Sequence, residues 1–238
     1  MPEPYSDQVE FSITEQNESP LHGYRGELDE PPVRGVPAGL TIAISREAGS
    51  RGATIAQRAG EQLGWEVYSQ EMMEYIAQNA PVRQDLVDRL TPAAKEWIDE
   101  QMNQRLQEQN MSQHPSILDL ARLVLSLGAQ GNVVLLGRGA GLILPSRSTL
   151  HVRLVAPLQE RVLYMGQWLR LTEEEAAEQV RKRDHRRAEF LATHFHRKPN
   201  DVHVYDMVLN TGLLGEEHSA DLIVAAAKAK MSAVMGMD

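Results

Sequence analysis

The residues whose types and spacing best suit chemistry form a glycine-containing loop at residues 49–54. The loop follows an apolar run at residues 40–44, which predicts a buried strand, and it precedes a segment with helical periodicity. The N–H groups of such a loop and of the first helical turn have no partners of their own, so with the helix dipole they form an anion site. Gly49 and Gly52 allow an oxyanion to approach closely, and the hydroxyl of Thr54 could reach a magnesium ion. The pattern therefore predicts a phosphate-binding loop.

The loop lacks the lysine of the usual phosphate-binding pattern, G-x-x-x-x-G-K-[ST]. Gly52 and Ala53 follow Arg51 instead. A loop lysine places a compact positive charge at the transferred phosphate, and the guanidinium of Arg46 or Arg51 could substitute because guanidinium groups bind phosphate in a bidentate manner. The loop indicates nucleotide binding and leaves phosphoryl transfer open. The alternative interpretation is an ordinary α/β turn.

A second loop of small residues, GRGAG at residues 137–141, follows the apolar run at residues 133–136. In open parallel sheets ligands bind outside the carboxyl ends of the strands, so the two loops are expected to face one site. Arg138 lies between two glycines at the end of a buried strand. Its charge has nowhere to go unless it reaches solvent or an anion, which favours a functional role.

A basic run at residues 181–187 stands out in a chain whose formal net charge is −9. Such a run is usually a solvated helix face. Arg183 and Arg187 are four residues apart, however, and so they share one face of a helix. A movable helix that carries arginines is what phosphoryl transfer uses to neutralise developing charge and to exclude water.

Asp206 and Asn210 flank a short strand predicted at residues 207–209. Their side chains could accept hydrogen bonds from a base or a ribose, and a capping or turn role is equally open. Several histidines invite a metal interpretation, but their spacing matches no zinc pattern and the chain has no cysteine. These histidines are His185, His194, His196 and His203.

Composition restricts the class of protein. The chain has 238 residues, of which 42% are hydrophobic, enough for one α/β domain with a substantial core. The net charge of −9 argues against a general binder of nucleic-acid polymers or acidic membranes. With no cysteine, no signal-like N-terminus and no membrane-length apolar run, we expect a cytoplasmic protein. A sparse apolar stripe at residues 92–111 suggests a substrate-side insert or a homo-oligomer contact.

Residues 1–38 are rich in polar residues, proline and glycine and lack periodicity, so they predict a disordered tail. Residues 39–238 are expected to form one α/β domain. Strands are predicted at residues 40–44, 65–68, 133–136, 151–156 and 207–209. Helical segments lie between them, including residues 116–130 and a helix that begins at Thr172 with Glu175 in the capping-box position.

Several of these stretches together resemble the cytidylate kinase-like family, a branch of the P-loop nucleoside monophosphate kinases. The motifs occur in the family's order: ISREAGSRGATIA from Ile44, LGWEVYSQE from Leu63, VVLLGRGAGLIL from Val133, RVLYM from Arg161, RKRDHRRAEF from Arg181 and YDMVLNTGLLG from Tyr205. The resemblance runs from about residue 39 to residue 231. It implies an α/β P-loop NTPase fold, a central parallel sheet flanked by helices, with a helical monophosphate-binding insert at about residues 70–113 and a lid at about residues 172–200.

The resemblance also implies a role for each candidate residue. ATP would be held by the loop residues Gly49, Ser50, Arg51, Gly52, Ala53 and Thr54. The hydroxyl of Thr54 would bind Mg²⁺. Arg138 would contact the acceptor monophosphate, with Tyr68 and Asp206 helping to hold the acceptor nucleotide. Arg183 and Arg187 would act from the lid. Arg51 is a catalytic candidate on its own residue type, as a substitute for the missing lysine, and not through the resemblance.

The chain departs from the family pattern at three positions: Arg51 replaces a glycine, Ala53 an arginine and Ser69 an aspartate. The leading hypothesis is an ATP- and magnesium-dependent phosphotransferase acting on a nucleoside monophosphate, with CMP or dCMP as the implied acceptor. The altered loop keeps open a catalytically impaired nucleotide-binding protein with a regulatory or assembly role. A kinase for another small metabolite is a third hypothesis, and fold alone cannot choose among them.

Overall fold

The computed structural model describes residues 36–108 and 110–235. In this part of the chain, five strands form one parallel sheet in the order β2-β3-β1-β4-β5. The strands are β1 (Thr41–Arg46), β2 (Glu66–Tyr68), β3 (Val133–Leu136), β4 (Thr149–Val155) and β5 (Met207–Asn210). Helices pack on both faces of the sheet. The predicted α/β fold with a central parallel sheet is confirmed.

The helices in the described ranges are α1 (Gly52–Leu63), α2 (Gln70–Gln78), α3 (Ala80–Asp88), α4 (Pro92–Gln107), α5 (Pro115–Gln130), α6 (Ala140–Ile143), α7 (Leu158–Leu169), α8 (Glu173–Phe195) and α9 (Thr211–Met235). The backbone of α9 is non-helical at Gly215, which divides it in two. None of these helices is both long and apolar enough to cross a membrane.

Strand β1 lies at the centre of the sheet and is buried on both faces. Ile42 and Ile44 pack into the core that α1 and α9 cover, whereas Ala43 faces the core beneath α5. This is why the strand reads as a continuous apolar run rather than an alternating one. The two faces bring helices from distant parts of the chain to one central strand.

Strand β1 extends two residues beyond the predicted apolar run. Ser45 and Arg46 continue the parallel pairing with Arg153 and Leu154 of β4. Polar residues are tolerated here because the strand is leaving the core at its carboxyl end. After β1 the chain forms β2 and β3 on one side of it and then β4 and β5 on the other, which makes this end the switch point where ligands bind in open α/β sheets.

Helix α8 begins as predicted, with a capping box in which Thr172 and Glu175 each satisfy the other's backbone N–H. It occupies most of the segment predicted as the lid. Helices α2, α3 and α4 occupy most of the predicted insert at residues 70–113. The functional roles of insert and lid stay predictions.

The predicted tail at residues 1–38 lies mostly outside the described residues. Its last three residues lie inside them. Val36 is 6% exposed and packs in the main core, and the N–H of Ala38 donates to the carbonyl oxygen of Ala129 at 3.0 Å. Packed structure therefore begins before residue 39.

Candidate active site

The loop between β1 and α1 ends in an uncapped helix N-terminus. Arg51 is the N-cap residue of the 12-residue helix α1, in the left-handed conformation (φ 58°), and its side chain makes no capping hydrogen bond. The N–H groups of the first turn therefore keep their capacity to bind an anion. Thr54 lies partly buried in that turn. This geometry fits phosphates of a nucleotide at residues 49–54, which stays a prediction.

Gly49 holds the loop against α7. Its φ is 80°, and a Cβ there would lie 2.5 Å from the carbonyl oxygen of Arg161. Both the backbone conformation and the close approach require glycine. Ser50 is held from two sides: its Oγ donates to the carbonyl oxygen of Glu47 at 2.9 Å, and its own carbonyl accepts from Thr211 Oγ1 at 3.0 Å. The loop is thus a fixed part of the fold.

An ion pair ties the loop to α8. Asp184 Oδ1 accepts from the N–H of Ala48 at 2.7 Å, and Asp184 Oδ2 accepts from Arg161 Nη1 at 2.5 Å. The same Arg161 nitrogen donates to the carbonyl oxygen of Ala48 at 3.1 Å, and Arg161 is only 8% exposed. The aspartate in the middle of the basic run is therefore the residue that fixes α8 over the loop.

The side chain of Arg51 contacts α7 and α9. Its guanidinium carbon lies 5.1 Å from the centre of the Tyr164 ring, a cation–π distance, and its Nε lies 3.9 Å from a carboxylate oxygen of Glu216. To meet a phosphate beside the cavity described below, this side chain would have to leave both partners.

The GRGAG loop after β3 is strongly bent. Gly137, Arg138 and Gly139 have φ values of 91°, 54° and 69°. Glycine adopts this region readily, but an arginine there carries a strain of about 1–3 kcal/mol. Such strain is found mostly at functional sites. A Cβ on Gly137 would collide with the guanidinium of Arg46, so this glycine makes room for that side chain.

Arg138 is held by one carboxylate and one aromatic ring. Its guanidinium forms an ion pair with Glu74 of α2 and lies 4.8 Å from the centre of the Phe190 ring of α8. Its Nε is buried and has no hydrogen-bond partner among the described residues. Burial lowers the pKa of Arg138, with Glu71 opposing that effect. Arg138 thus joins the predicted insert to the predicted lid and keeps a donor unused.

A cavity of about 710 Å³ lies at the carboxyl ends of β1 and β3, between the sheet and α8. Its volume is in the range of small-ligand sites. Six arginines line it, against three carboxylates. The arginines are Arg46, Arg138, Arg153, Arg183, Arg186 and Arg187, and the carboxylates are Glu47, Glu71 and Asp184. An excess of guanidinium groups around one cavity favours an anionic ligand.

Arg46 lies at the centre of this arginine group. Burial and, next, the charge of Arg187 lower its pKa to about 9, while Glu71 acts in the opposite direction. The side chain donates to Gln70 Oε1 at 3.3 Å. A guanidinium remains charged at neutral pH even so. Burial therefore opposes the charge of Arg46 at this position, and only Glu71 among the described residues acts to support it.

Arg187 comes from α8 and approaches the end of β1. Its Nη1 donates to the carbonyl oxygen of Arg46 at 3.4 Å and lies 3.8 Å from a carboxylate oxygen of Asp184. Burial lowers its pKa, with Asp184 opposing. Arg183, one helical turn earlier, also lines the cavity. The structure therefore brings together three of the predicted catalytic arginines, namely Arg138, Arg183 and Arg187.

Two predicted substrate-binding residues do not line this cavity. Tyr68 donates its hydroxyl to Glu66 Oε2 at 2.7 Å, and burial together with that bond raises its pKa to about 12. Asp206 Oδ2 accepts from the N–H of His151 at 2.7 Å, and Lys230 Nζ lies 2.8 Å from Asp206 Oδ1. Among the described residues at positions 49–54, none lines the cavity either. Their predicted roles in binding therefore stay predictions.

Sequence reasoning missed Arg153 and His151, which project from β4 into the cavity. The signal for Arg153 was present, because it is the one charged residue among the apolar residues of β4. Its Nη1 donates to Ser45 Oγ at 3.1 Å. The pairing of β4 with β1 places it at the site, and that pairing was not predicted.

The sheet, the loop at the end of β1 and the arginine-lined cavity define the class of protein as an α/β protein of nucleotide-kinase type. A model of the cytidylate kinase-like family matches residues 41–213. The chain belongs to the cytidylate kinase-like family. This membership supports a nucleotide kinase-like function with small-molecule nucleotide substrates.

Individual relatives add information on the fold. An uncharacterized protein from Eubacterium ventriosum has a crystal structure that aligns with 80% of this chain and 99% of its own, at 19% identity and a TM-score of 0.57. A shikimate kinase from Bacteroides thetaiotaomicron aligns with 80% of this chain and 97% of its own at 11% identity, with a TM-score of 0.42. The first alignment supports the fold alone.

One relative by sequence is named for an activity other than a kinase's. A uronate isomerase from Corynebacterium glutamicum is 38% identical over 92 residues. The match spans 38% of this chain and 18% of that protein. The match therefore covers a minor part of the uronate isomerase, so it indicates nothing about isomerase activity in this chain.

Proposed function

We propose that this protein is a phosphotransferase that moves the γ-phosphoryl group of ATP to a nucleoside monophosphate, with CMP or dCMP as the acceptor. The observation that carries the proposal is the convergence of arginines from β1, the β3 loop, β4 and α8 on one cavity beside the loop of residues 49–54. Such a cluster is suited to hold a phosphate and to neutralise the charge that develops during transfer.

The acceptor phosphate is assigned to Arg138, which has an unused donor and sits at the carboxyl end of the sheet. Arg183 and Arg187 also line the cavity, from α8, and would meet the transferring group there. During in-line transfer, an acceptor phosphate oxygen forms a bond to the γ-phosphorus while the bond to the β–γ bridging oxygen breaks, and ADP leaves. The role of these residues is to position the reactants and to stabilise charge.

The loop between β1 and α1 suits a nucleoside triphosphate with magnesium as the phosphate donor. The uncapped N-terminus of α1 supplies amide donors, and the Thr54 hydroxyl is an oxygen ligand of the kind that Mg²⁺ binds. Bound Mg²⁺ would supply charge neutralisation at the phosphates. Gly49, Ser50, Gly52 and Ala53 would contribute through their backbone. Arg51 would contribute its side chain only after leaving Tyr164.

A coupled assay of ADP formation with CMP, dCMP, UMP and AMP as acceptors tests the proposal. We expect ADP formation with at least one pyrimidine monophosphate and a dependence on Mg²⁺. Absence of ADP formation with every acceptor, in a protein that circular dichroism shows to be folded, would overturn it.

One observation favours a second candidate function. Ala53 replaces the usual basic residue of the loop, and Arg51 is occupied by Tyr164 and Glu216. A nucleotide-binding protein with a regulatory or assembly role needs an anion site. It does not need a positively charged side chain at the phosphoryl group that a kinase transfers. Titration calorimetry distinguishes the two functions, since this second one predicts ATP or CMP binding with no turnover.

A further inference from the structure

The cavity has two chemically different ends. The arginine group lies at the carboxyl end of the sheet, where an anion would sit. The remaining lining includes neutral groups from β4 and the segment that precedes β5, namely His151, Tyr205, Asn200 and Pro199. A ligand that fixes its phosphate among the arginines would present its other end to these neutral groups.

His151 is held in one tautomer. Its Nδ1 lies 2.7 Å from the carbonyl oxygen of Val204, which can only accept, so Nδ1 carries the proton. The other ring nitrogen, Nε2, therefore has a free lone pair, and no hydrogen bond joins it to another described residue. The ring is neutral at physiological pH because burial lowers the pKa of His151 to about 4. His151 is thus a hydrogen-bond acceptor on the cavity wall.

Three contacts fix the orientation of this ring. The Tyr205 ring packs on it with centroids 4.5 Å apart. The backbone N–H of His151 donates to Asp206, which in turn forms an ion pair with Lys230. Gly141 packs against the ring itself, since a Cβ there would lie 2.2–2.4 Å from three of the ring atoms. The acceptor is therefore positioned before any ligand arrives.

The distance between the two ends follows from strand geometry. His151 and Arg153 are two residues apart on β4 and share one face of the sheet, which separates their Cα atoms by about 6–7 Å. Arg153 belongs to the arginine end and is fixed by Ser45. His151 therefore meets the part of a ligand that lies away from its phosphate.

We infer that His151 is a specificity-determining residue, which accepts a hydrogen bond through Nε2 from the exocyclic amine of an acceptor nucleobase. This inference rests on the proposed function. In a nucleoside monophosphate the exocyclic amine projects away from the sugar and phosphate. Cytosine carries an amine at the position where uracil carries a carbonyl, and a carbonyl would place its lone pairs against that of Nε2. The site would thus reject the uracil nucleotide through an unpaired polar contact.

Calorimetric binding of CMP and UMP to the full chain tests the inference. The native protein should bind CMP about tenfold more tightly than UMP, or more, since an unpaired buried polar group costs about 1–3 kcal/mol. His151→Phe keeps a flat ring without the acceptor, so CMP binding should weaken about tenfold to the level of UMP. His151→Gln places an amide oxygen near the position of Nε2 and should restore part of the preference. Circular dichroism checks that each variant is folded.

The outcomes separate this inference from the proposed function. Equal binding of CMP and UMP by the native protein, or a CMP preference that survives in His151→Phe, would overturn the inference even if ADP is formed. A CMP preference that depends on His151 without any ADP formation would support the inference and overturn the phosphotransferase proposal. Failure of both nucleotides to bind would overturn both.

Discussion

The loop at residues 47–54 and the arginine-lined cavity beside it are built in opposite ways. The loop is one continuous stretch whose backbone supplies the donors, and its single basic side chain, Arg51, turns outward to Tyr164. The cavity takes its charged side chains from β1, the β3 loop, β4 and α8. In the proposed phosphotransferase, the positive charge that the loop lacks would therefore come from elements that are distant in sequence.

The two regions are mechanically joined by α8. Asp184 binds the loop through Ala48 and Arg161, while Arg187, one turn further along the same helix, reaches the cavity. Two residues one turn apart on the same face of α8 therefore contact the two regions. Loss of Asp184 should disturb the positions of the arginines as well as the loop.

The largest expected effect comes from removing a cavity arginine. Arg187→Ala should lower kcat/KM for phosphoryl transfer by about 10²–10³, because a preorganised donor to developing charge is worth about 3–4 kcal/mol. Steady-state kinetics with CMP measures it. Arg181→Ala is the matched control, since Arg181 is exposed on the same helix and does not line the cavity. An equal loss of kcat/KM in both variants would mean that phosphoryl transfer does not depend specifically on an arginine in the cavity.

Asp184→Asn tests the connection between the two regions. It removes the carboxylate that lies 2.5 Å from the buried Arg161 and leaves Glu47 at 3.4 Å, so we expect a loss of about 2 kcal/mol in the free energy of unfolding. Urea denaturation measures that loss. Asp85→Asn, which breaks an exposed pair with Arg89, should cost less than about 1 kcal/mol. A loss no larger for Asp184 than for Asp85 would mean that α8 is not held through this aspartate.

His151 should make stability depend on pH. Its pKa is lowered from 6.5 to about 4 in the folded protein, so between these values the unfolded chain binds more protons. The stabilisation is therefore present above about pH 6.5 and is lost as pH falls through 4, by about 3 kcal/mol in total. Denaturation at several pH values, compared between the native protein and His151→Gln, isolates this residue from the carboxylates. Parallel curves for the two proteins would contradict the neutral, buried state of His151.

The smallest effect is expected for Arg51→Ala. Because its guanidinium lies over Tyr164 and near Glu216, the change should reduce turnover by less than about tenfold, or about 1.4 kcal/mol. Single-turnover kinetics at saturating ATP measures the effect on chemistry. A loss above a hundredfold with unchanged nucleotide affinity would show that Arg51 takes over the role of the loop lysine and would remove the contrast between the two regions.

Local patterns predicted the fold well, because they depend on neighbours in the chain. The capping box at Thr172 and Glu175 and the buried strand at residues 133–136 are present as predicted. Boundaries were displaced where pairing partners decided them, as at Ser45 and Arg46 of β1. Strand pairing depends on the whole sheet, so the residues of one strand do not determine its partners.

The site was predicted in part for the same reason. Arg138 was evident because glycines flank it, and Arg183 and Arg187 because helical spacing puts them on one face. Arg153 and His151 reach the cavity only through the β1–β4 register, which the sequence pattern does not reveal. The role of Asp184 as a tie to the loop depends on a contact across 136 residues of chain.

The close approach of Gly49 to Arg161 has a consequence for mutational tolerance. Position 49 is restricted twice, by its positive φ and by the α7 backbone against it, so no single substitution there is accommodated unless α7 moves. Gly64 also has a positive φ, 69°, but nothing lies within 4 Å of its missing Cβ. In a library of variants selected for folding, position 64 should therefore accept asparagine, whereas position 49 should remain glycine in every survivor.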